Sequence, residues 1–212
     1  MSLPSFKPRK VPTQSRAKVT HGAILQAATQ LLATAGIGGF NTNAIAERAG
    51  ASIGTLYQYF PNKQALLLQL IHRQKQQMFI NIANAMRRGR GESLDAAVQQ
   101  LVRGRTQHLR EGSPVPSLLS HQEACLPIHD LRVGYLAAGS QLFLAGLRHW
   151  GAPAQHFDAA RVAKTVPAMI HGIMAAWQSH TPDDLDGAEQ EAVQAVLGYL
   201  QWQTGARVSC GA

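Results

Sequence analysis

Residues 41–60 read NTNAIAERAGASIGTLYQYF, and their spacing is that of two short helices joined by a tight turn. Ala46 is small enough for a second helix to approach closely, and Gly50 can take the positive φ at which helices commonly end. Leu56 packs the second helix on the first. Ser52 precedes the second helix as its cap, because its hydroxyl can accept a hydrogen bond from a first-turn amide. The stretch predicts a helix-turn-helix, whose second helix can enter the major groove of DNA.

The flanking residues separate this interpretation from an ordinary helical hairpin, in which the same spacing occurs by chance. Residues 55–63 read TLYQYFPNK and place two tyrosines and a lysine where a recognition helix meets phosphates. Pro61 fits the end of one helix and the start of another. The flanks therefore favour DNA binding.

Residues 22–68 resemble the DNA-binding domain of the TetR family of bacterial transcriptional regulators. The resemblance is carried by ILQAA at 24–28, Leu31-Leu32, Ala35-Gly36, IAERAGAS at 45–52, GTLY at 54–57 and YFPNK at 59–63. The rest of the chain matches the family only in length and helical texture. The resemblance implies an all-α fold, with an N-terminal three-helix DNA-binding domain followed by a larger helical domain for ligand binding and dimerisation.

The charge distribution agrees with this division into a basic disordered arm (1–18), a helix-turn-helix domain (19–65) and a helical ligand-binding and dimerisation domain (66–212). Residues 1–65 carry seven Lys/Arg against one Asp/Glu, whereas the remainder carries thirteen against eleven. Neutralisation of DNA phosphates calls for such an asymmetry, although a solvated basic tail would share it. Pro4, Pro8 and Pro12 interrupt the arm, which excludes an amphipathic membrane-surface helix there.

Other classes of protein lack support in the sequence. No signal peptide and no membrane span is evident, so we expect a cytoplasmic protein. Cys125 and Cys210 form neither a disulfide framework nor a metal-ligand pattern, and a redox role for Cys125 stays open. The nine histidines are scattered, and no phosphate loop or nucleophile elbow is present, so we expect no enzyme, no metal and no cofactor.

The remaining helices are predicted from apolar periodicity and from Gly, Pro and Ser signals. We expect a long helix from Lys63 to about Arg90, ended by Gly89 and Gly91, and a following helix capped by Ser93. A short helix spans about 117–124, and a longer one runs through Leu131 to Trp150 and stops at Gly151 and Pro153. Two final helices cover about 158–179 and 184–203, each apolar on more than one face. They resemble the pair that forms the family's dimeric four-helix bundle; a thick monomeric core is the alternative.

The resemblance assigns base contacts to the start of the recognition helix and phosphate contacts to its surroundings. Gly54 and Thr55 approach base edges, and Gln58 either reads adenine or is a solvated surface residue. Phosphate contacts are assigned to Ser52, Tyr57, Tyr59, Lys63, Asn41, Thr42 and Asn43. The two tyrosines have an alternative role in packing on the long fourth helix.

Ile53 departs from the family pattern, in which many members carry a basic residue just after the capping serine. It either touches a thymine methyl group or packs against Leu56 and Phe60. The basic arm compensates for the lost phosphate contact, with Arg16 and Lys18 nearest to DNA. Lys7, Arg9 and Lys10 would reach a neighbouring minor groove.

The resemblance also implies a ligand cavity in the second domain. Its expected lining is Leu101, His108, His121, Cys125, Tyr135, Leu142, Phe143, His171 and Met174, although each of these residues also suits ordinary core or surface. Pro167 is the expected site of a kink beside it. The resemblance implies a ligand-responsive repressor that forms a homodimer through its last two helices. The dimer would bind a palindromic operator in double-stranded DNA and would be released by a small-molecule effector.

Two alternatives to an inducible repressor remain. One is a ligand-blind repressor or an activator of the same fold. The other is a sequence-independent DNA-binding protein, which would be basic throughout, whereas residues 66–212 are nearly balanced in charge.

Overall fold

The computed structural model describes residues 15–88, 93–110, 112–149, 158–180 and 183–203. These residues are almost entirely helical and include no β-strand, which confirms the all-α fold class. The α-helices are α1 (Ser15–Gly39), α2 (Thr42–Arg48), α3 (Ile53–Tyr59), α4 (Lys63–Arg88), α5 (Leu94–Thr106), α6 (Val115–Cys125), α7 (His129–His149), α8 (Ala159–His180) and α9 (Leu185–Gln203). A 3₁₀ turn, Gln107–Leu109, follows α5. In the described ranges no helix is both long and apolar enough to cross a membrane.

The helix boundaries lie at residues that commonly cap or interrupt helices. Asn41, Ser52 and Ser93 cap α2, α3 and α5 through their side-chain oxygens. Gly36 interrupts α1 with a φ of 59°, a conformation that glycine takes without the steric cost borne by other residues. Helix α8 continues through Pro167. The predicted stops at residues 89–91 and 150–153 lie outside the described residues.

The start of α1 corrects one prediction. Residues 15–18, expected to be the end of a disordered arm, form the first turn of α1. Residues 1–14, with the rest of the arm, lie outside the described part of the chain.

The chain forms two compact units whose limits differ from the predicted domains. Of the described residues, the N-terminal unit comprises 15–75 and 112–127, and the C-terminal unit comprises 76–88, 93–110, 128–149, 158–180 and 183–203. Residues 66–75 and 112–127, which we expected in the larger domain, thus pack in the same unit as the helix-turn-helix. The reason is helix α6, whose Val115 and Leu119 join the N-terminal core.

The N-terminal unit is built around the buried faces of α1, α3 and the first half of α4. Its fully buried side chains include Ile24, Leu32, Phe40, Ile45, Leu56, Phe60, Leu66 and Ile71. Two polar contacts hold α6 against α4: Lys75 and Glu123 form an ion pair of 2.8 Å, and Gln74 Nε2 donates to the Pro116 carbonyl at 3.2 Å.

The C-terminal unit is a helical layer in which α8 packs against α7 and α9, and α5 packs against α9. Its core includes Val98, Val102, Phe143, Val162, Val166, Ala192, Val196 and Leu200. Gly104 of α5 lies so close to α4 that an added Cβ would stand 2.8 Å from Ala85 Cβ. A glycine is therefore required for this close helix contact.

A buried polar cluster joins α5 to α9. The Glu189 carboxylate is buried and accepts hydrogen bonds from the Thr106 hydroxyl and from Arg110, whose guanidinium lies 2.6 Å from Glu189 Oε2 and 2.6 Å from Asp186 Oδ1. Hydrogen bonds to Glu189 and then to Asp186 raise the pKa of Arg110 above its usual value. Because a buried carboxylate needs such partners, this cluster fixes how the two helices pack.

Candidate nucleic-acid interface

Helix α2 begins with residues whose polar groups are already engaged within the protein. The Asn41 side chain accepts from the Ala44 amide at 2.9 Å and donates to the Gly39 carbonyl at 3.2 Å. The Thr42 hydroxyl lies 3.2 Å from the Tyr57 hydroxyl of α3. Asn43 is exposed. The first turn of α2 is thus tied to the recognition helix at its solvent face.

The recognition helix α3 starts at a well-formed cap. The Ser52 hydroxyl accepts from the Thr55 amide at 3.0 Å and lies 2.8 Å from the Thr55 hydroxyl. The preceding turn passes through Gly50 at a φ of 63°. Gly54 is exposed, and an added Cβ would meet only Ser52 Oγ, at 3.8 Å. The start of α3 therefore presents open backbone to solvent.

Three side chains of α3 face solvent and are available to DNA. Ile53 is 37% exposed, Tyr57 is 40% exposed, and Gln58 is also exposed. Leu56, on the opposite face, is fully buried and anchors the helix to the core. Helix α3 thus has one exposed face and one buried face.

Tyr59 does not share this exposed face. It is 8% exposed, belongs to the hydrophobic core of the N-terminal unit, and meets the His21 ring edge-on at a centroid distance of 5.7 Å. The alternative in which this tyrosine packs inside the domain is therefore favoured over its predicted phosphate contact.

Lys63, the first residue of α4, has a partner within the protein. Its ammonium group donates to the Ile37 carbonyl at 3.3 Å and lies 5.6 Å from the centroid of the Phe40 ring. The contact supplies a donor to the end of α1, where helix carbonyls lack intrahelical partners. Lys63 thus links α4 to the turn before α2, in addition to the phosphate contact predicted for it.

His21 of α1 is a member of the N-terminal unit that sequence reasoning missed. Its ring stacks on Phe60 at 5.0 Å, next to Tyr59. Burial, and then the positive charge of Arg73, lower the pKa of His21. No sequence signal indicated this contact, because His21 and Phe60 are far apart in the chain and meet only through packing.

Lys18 is the basic residue of the predicted arm whose side chain the structure describes. Lys18 is exposed on α1, whereas the Arg16 side chain and residues 1–14, which include Lys7, Arg9 and Lys10, are outside the described residues. The described cations of the N-terminal unit also include exposed Arg48, at the end of α2.

The residues predicted to line a ligand cavity are divided between the two units. Leu101, Phe143 and Met174 are buried in the C-terminal core, and Leu142 packs against it. Tyr135 and His108 are half-buried, and exposed His171 lies 3.5 Å from Arg105. His121 and Cys125 lie on α6 in the N-terminal unit, with Cys125 Sγ 4.0 Å from His121 Nε2.

A cavity of about 480 Å³ lies between α8 and α9 in the C-terminal unit. Its lining residues are Gly172, Ile173, Ala176, Trp177, His180, Asp184, Gly187, Ala188 and Glu191. None of the predicted ligand-site residues lines it. Over the described ranges, no group of His, Cys, Asp or Glu side chains is arranged to hold a metal ion.

The sequence of the helix-turn-helix matches a known family. Residues 24–70 match the sequence model described as "Bacterial regulatory proteins, tetR family". The N-terminal domain is a TetR-family DNA-binding domain. The family resemblance read from the sequence is thereby confirmed for residues 24–70. No match was found among curated proteins.

Solved structures of regulatory proteins share the fold over most of the chain. The fatty acid degradation regulator FadR from Bacillus halodurans is 21% identical, with a TM-score of 0.64 over 86% of this chain and 96% of FadR. A TetR-family transcriptional regulator from Streptomyces coelicolor is 20% identical, with a TM-score of 0.62 over 86% of this chain and 98% of that protein.

SmeT, the repressor of the Stenotrophomonas maltophilia multidrug efflux pump SmeDEF, is 20% identical, with a TM-score of 0.60 over 86% of this chain and 91% of SmeT. At these identities the comparison establishes the TetR-type fold beyond the matched segment, including the larger helical domain.

Proposed function

We propose that this protein is a cytoplasmic, ligand-responsive repressor that binds a palindromic operator as a homodimer and leaves it when a small molecule binds. The observation that carries the DNA-binding part is the exposed face of α3, where Ile53, Tyr57 and Gln58 point away from the core behind a capped first turn. Such a face is what major-groove recognition by a helix-turn-helix requires.

Dimerisation is supported by the solvent-facing sides of the last two helices. Exposed small residues follow α8 at Ala168, Gly172, Ala175 and Ala176, and Trp202 of α9 is 66% exposed. Small residues allow close approach of a partner helix, and an exposed tryptophan is a costly surface residue for a monomer. Two copies would then present two α3 helices to successive major grooves, about 34 Å apart or a multiple of it.

Effector control would act on that spacing. A ligand that binds one arrangement of the dimer better shifts the population toward it, with a coupling free energy of about 1–3 kcal/mol. The TetR-type fold of the whole chain supports this part of the proposal. SmeT is named as the repressor of a multidrug efflux pump, and FadR as a regulator of fatty acid degradation. By analogy, the proposed sign of regulation is repression.

The deciding experiment is selection of bound duplexes from a random DNA pool by the full-length protein at a stated salt concentration. We expect a palindrome, which identifies a dimeric sequence-specific regulator. Binding that follows salt alone, with no enriched motif, would instead favour the sequence-independent alternative. Genomic neighbours of the motif then supply candidate effectors, and release of the labelled operator tests each one.

The tyrosine pair offers a matched test of the interface. Tyr57→Phe removes the exposed hydroxyl that lies 3.2 Å from Thr42, so we expect weaker binding on all sequences alike. Tyr59→Phe removes the hydroxyl group of a buried side chain and should leave DNA affinity unchanged at equal salt. If the two variants lose affinity equally, the exposed face is assigned incorrectly.

The dimer has its own test by sedimentation. Ala175→Arg introduces a bulky cation on the exposed face of α8 and should give monomers that no longer select a palindrome. Ala124→Arg, at an exposed position of α6, is the control and should remain dimeric. A dimeric Ala175→Arg variant would place the interface elsewhere.

A further inference from the structure

The recognition helix carries no charged residue. Its seven residues read IGTLYQY, without an acidic or basic side chain. Arg and Lys make the commonest specific contacts to guanine, through O6 and N7. Base reading by α3 must therefore depend on apolar and neutral polar side chains.

Ile53 is the apolar side chain that α3 leaves in solvent. It is 37% exposed. Leu56 and Phe60, the residues against which it could alternatively have packed, are fully buried within the core of the N-terminal unit. Ile53 belongs neither to that core nor to the partly buried residues packed on it. An apolar side chain held outside the core at this position is available to an apolar group on DNA.

The polar groups next to Ile53 are engaged in the helix cap. The hydroxyl groups of Ser52 and Thr55 lie 2.8 Å apart, and Ser52 also accepts the Thr55 amide at 3.0 Å, so these polar groups serve the cap. Gly54 has no side chain, and open space surrounds it except for Ser52 Oγ. The backbone at this end can therefore approach a groove closely and bring Ile53 to the base edges.

We propose that Ile53 reads the 5-methyl group of a thymine in each operator half-site. Thymine is the base that presents a methyl group in the major groove, and an apolar contact with it excludes water from both surfaces. The inference rests on the proposed sequence-specific binding and adds the base and the atom that one residue recognises.

Replacement of thymine by deoxyuridine tests the contact, because it removes only the methyl group. Each thymine in one half-site of the selected operator is replaced in turn, and the Kd is measured at constant salt. We expect one position at which the Kd of the unmodified protein rises about four-fold, the factor for burial of one methyl group. Replacement in both half-sites should raise the Kd by about sixteen-fold.

The variants assign the effect to the side chain. Ile53→Ala should lose the deoxyuridine penalty, and Ile53→Val, which keeps a branched apolar side chain, should retain most of it. Ile80→Ala is the matched control, because Ile80 is a 52% exposed isoleucine on α4 and belongs to the other unit. It should show the full penalty.

The outcomes separate this inference from the proposed function. If selection gives a palindrome but Ile53→Ala keeps the same deoxyuridine penalty as the unmodified protein, or no thymine shows a penalty, Ile53 does not read a methyl group and the repressor proposal is unaffected. If selection gives no motif, the proposed function fails first, and the contact fails with it.

Discussion

The caps of the helix-turn-helix and the polar cluster of the C-terminal unit act over very different distances along the chain. In the helix-turn-helix, the Asn41 and Ser52 side chains cap helices through amides three residues ahead. In the C-terminal unit, the buried carboxylate of Glu189 meets Thr106, which is 83 positions away in the chain. The helix ends of the helix-turn-helix are therefore specified by local sequence, whereas the packing of α5 on α9 depends on distant residues meeting.

This difference has a functional meaning. In the proposed function the helix-turn-helix must present the same atoms each time it binds DNA, and local caps help to fix the ends of its two helices. A unit assembled from long-range packing can differ widely in sequence while it keeps the same helical arrangement.

The largest expected effect tests whether each core supports its own unit. Leu56→Ala and Leu200→Ala truncate fully buried leucines of the N-terminal and C-terminal units, so each should lower the free energy of unfolding by about 2–5 kcal/mol. Hydrogen exchange should show faster amide exchange in α2 and α3 for Leu56→Ala only. Equal acceleration there in both variants would mean that the units share one cooperative core.

The next effect concerns the long-range cluster. Arg110→Ala leaves the buried Glu189 carboxylate with the Thr106 hydroxyl as its partner. Because Arg110 is itself partly exposed, we expect the free energy of unfolding to fall by a moderate amount, about 1–3 kcal/mol, measured by chemical denaturation. Arg103→Ala, at an exposed position of α5, is the control and should change stability little. Indistinguishable losses would show that the cluster does not hold α5 on α9.

The caps allow the closest comparison between the units, since each has one capping serine. Ser52 accepts the Thr55 amide at 3.0 Å, and Ser93 accepts the Ala96 amide at 3.2 Å. Serine to alanine at either position should cost about 1 kcal/mol of stability. Only Ser52→Ala should also weaken operator binding, because α3 alone belongs to the helix-turn-helix. A comparable affinity loss for Ser93→Ala would contradict that division.

The smallest expected effect is a pH dependence confined to the N-terminal unit. Because the pKa of His21 is lowered in the folded state, the unfolded chain takes up the proton first as the pH falls below about 6.5. The His21 contribution to stability is thus present above that pH and lost as the pH falls through the folded pKa.

A variant isolates this contribution. The free energy of unfolding is measured by denaturation at pH 7.5 and at pH 5, which bracket the ordinary histidine pKa of about 6.5. Its decline toward pH 5 should be smaller for His21→Gln than for the unmodified protein. His180→Gln, exposed at the end of α8, should keep the full decline. An unchanged slope in His21→Gln would assign the pH dependence to other groups.

Local sequence determined the elements of the helix-turn-helix by itself. The Ala46, Gly50 and Leu56 spacing and the Ser52 cap act within a few residues, so they can be read without knowledge of the fold. The same holds for the Ser93 cap and for the order of the helices, whose start and stop signals are also short-range.

Only the tertiary structure decided which side chains face solvent and which helix joins which unit. Tyr57 and Tyr59 look equivalent in the sequence, yet α3 turns one outward and buries the other beside His21. Ile53 lies outside the core, and α6 packs with the N-terminal unit although it follows α5 in the chain. The physical reason is that burial depends on the three-dimensional surroundings of a residue, which are contributed by residues far away in sequence and which local propensity does not encode.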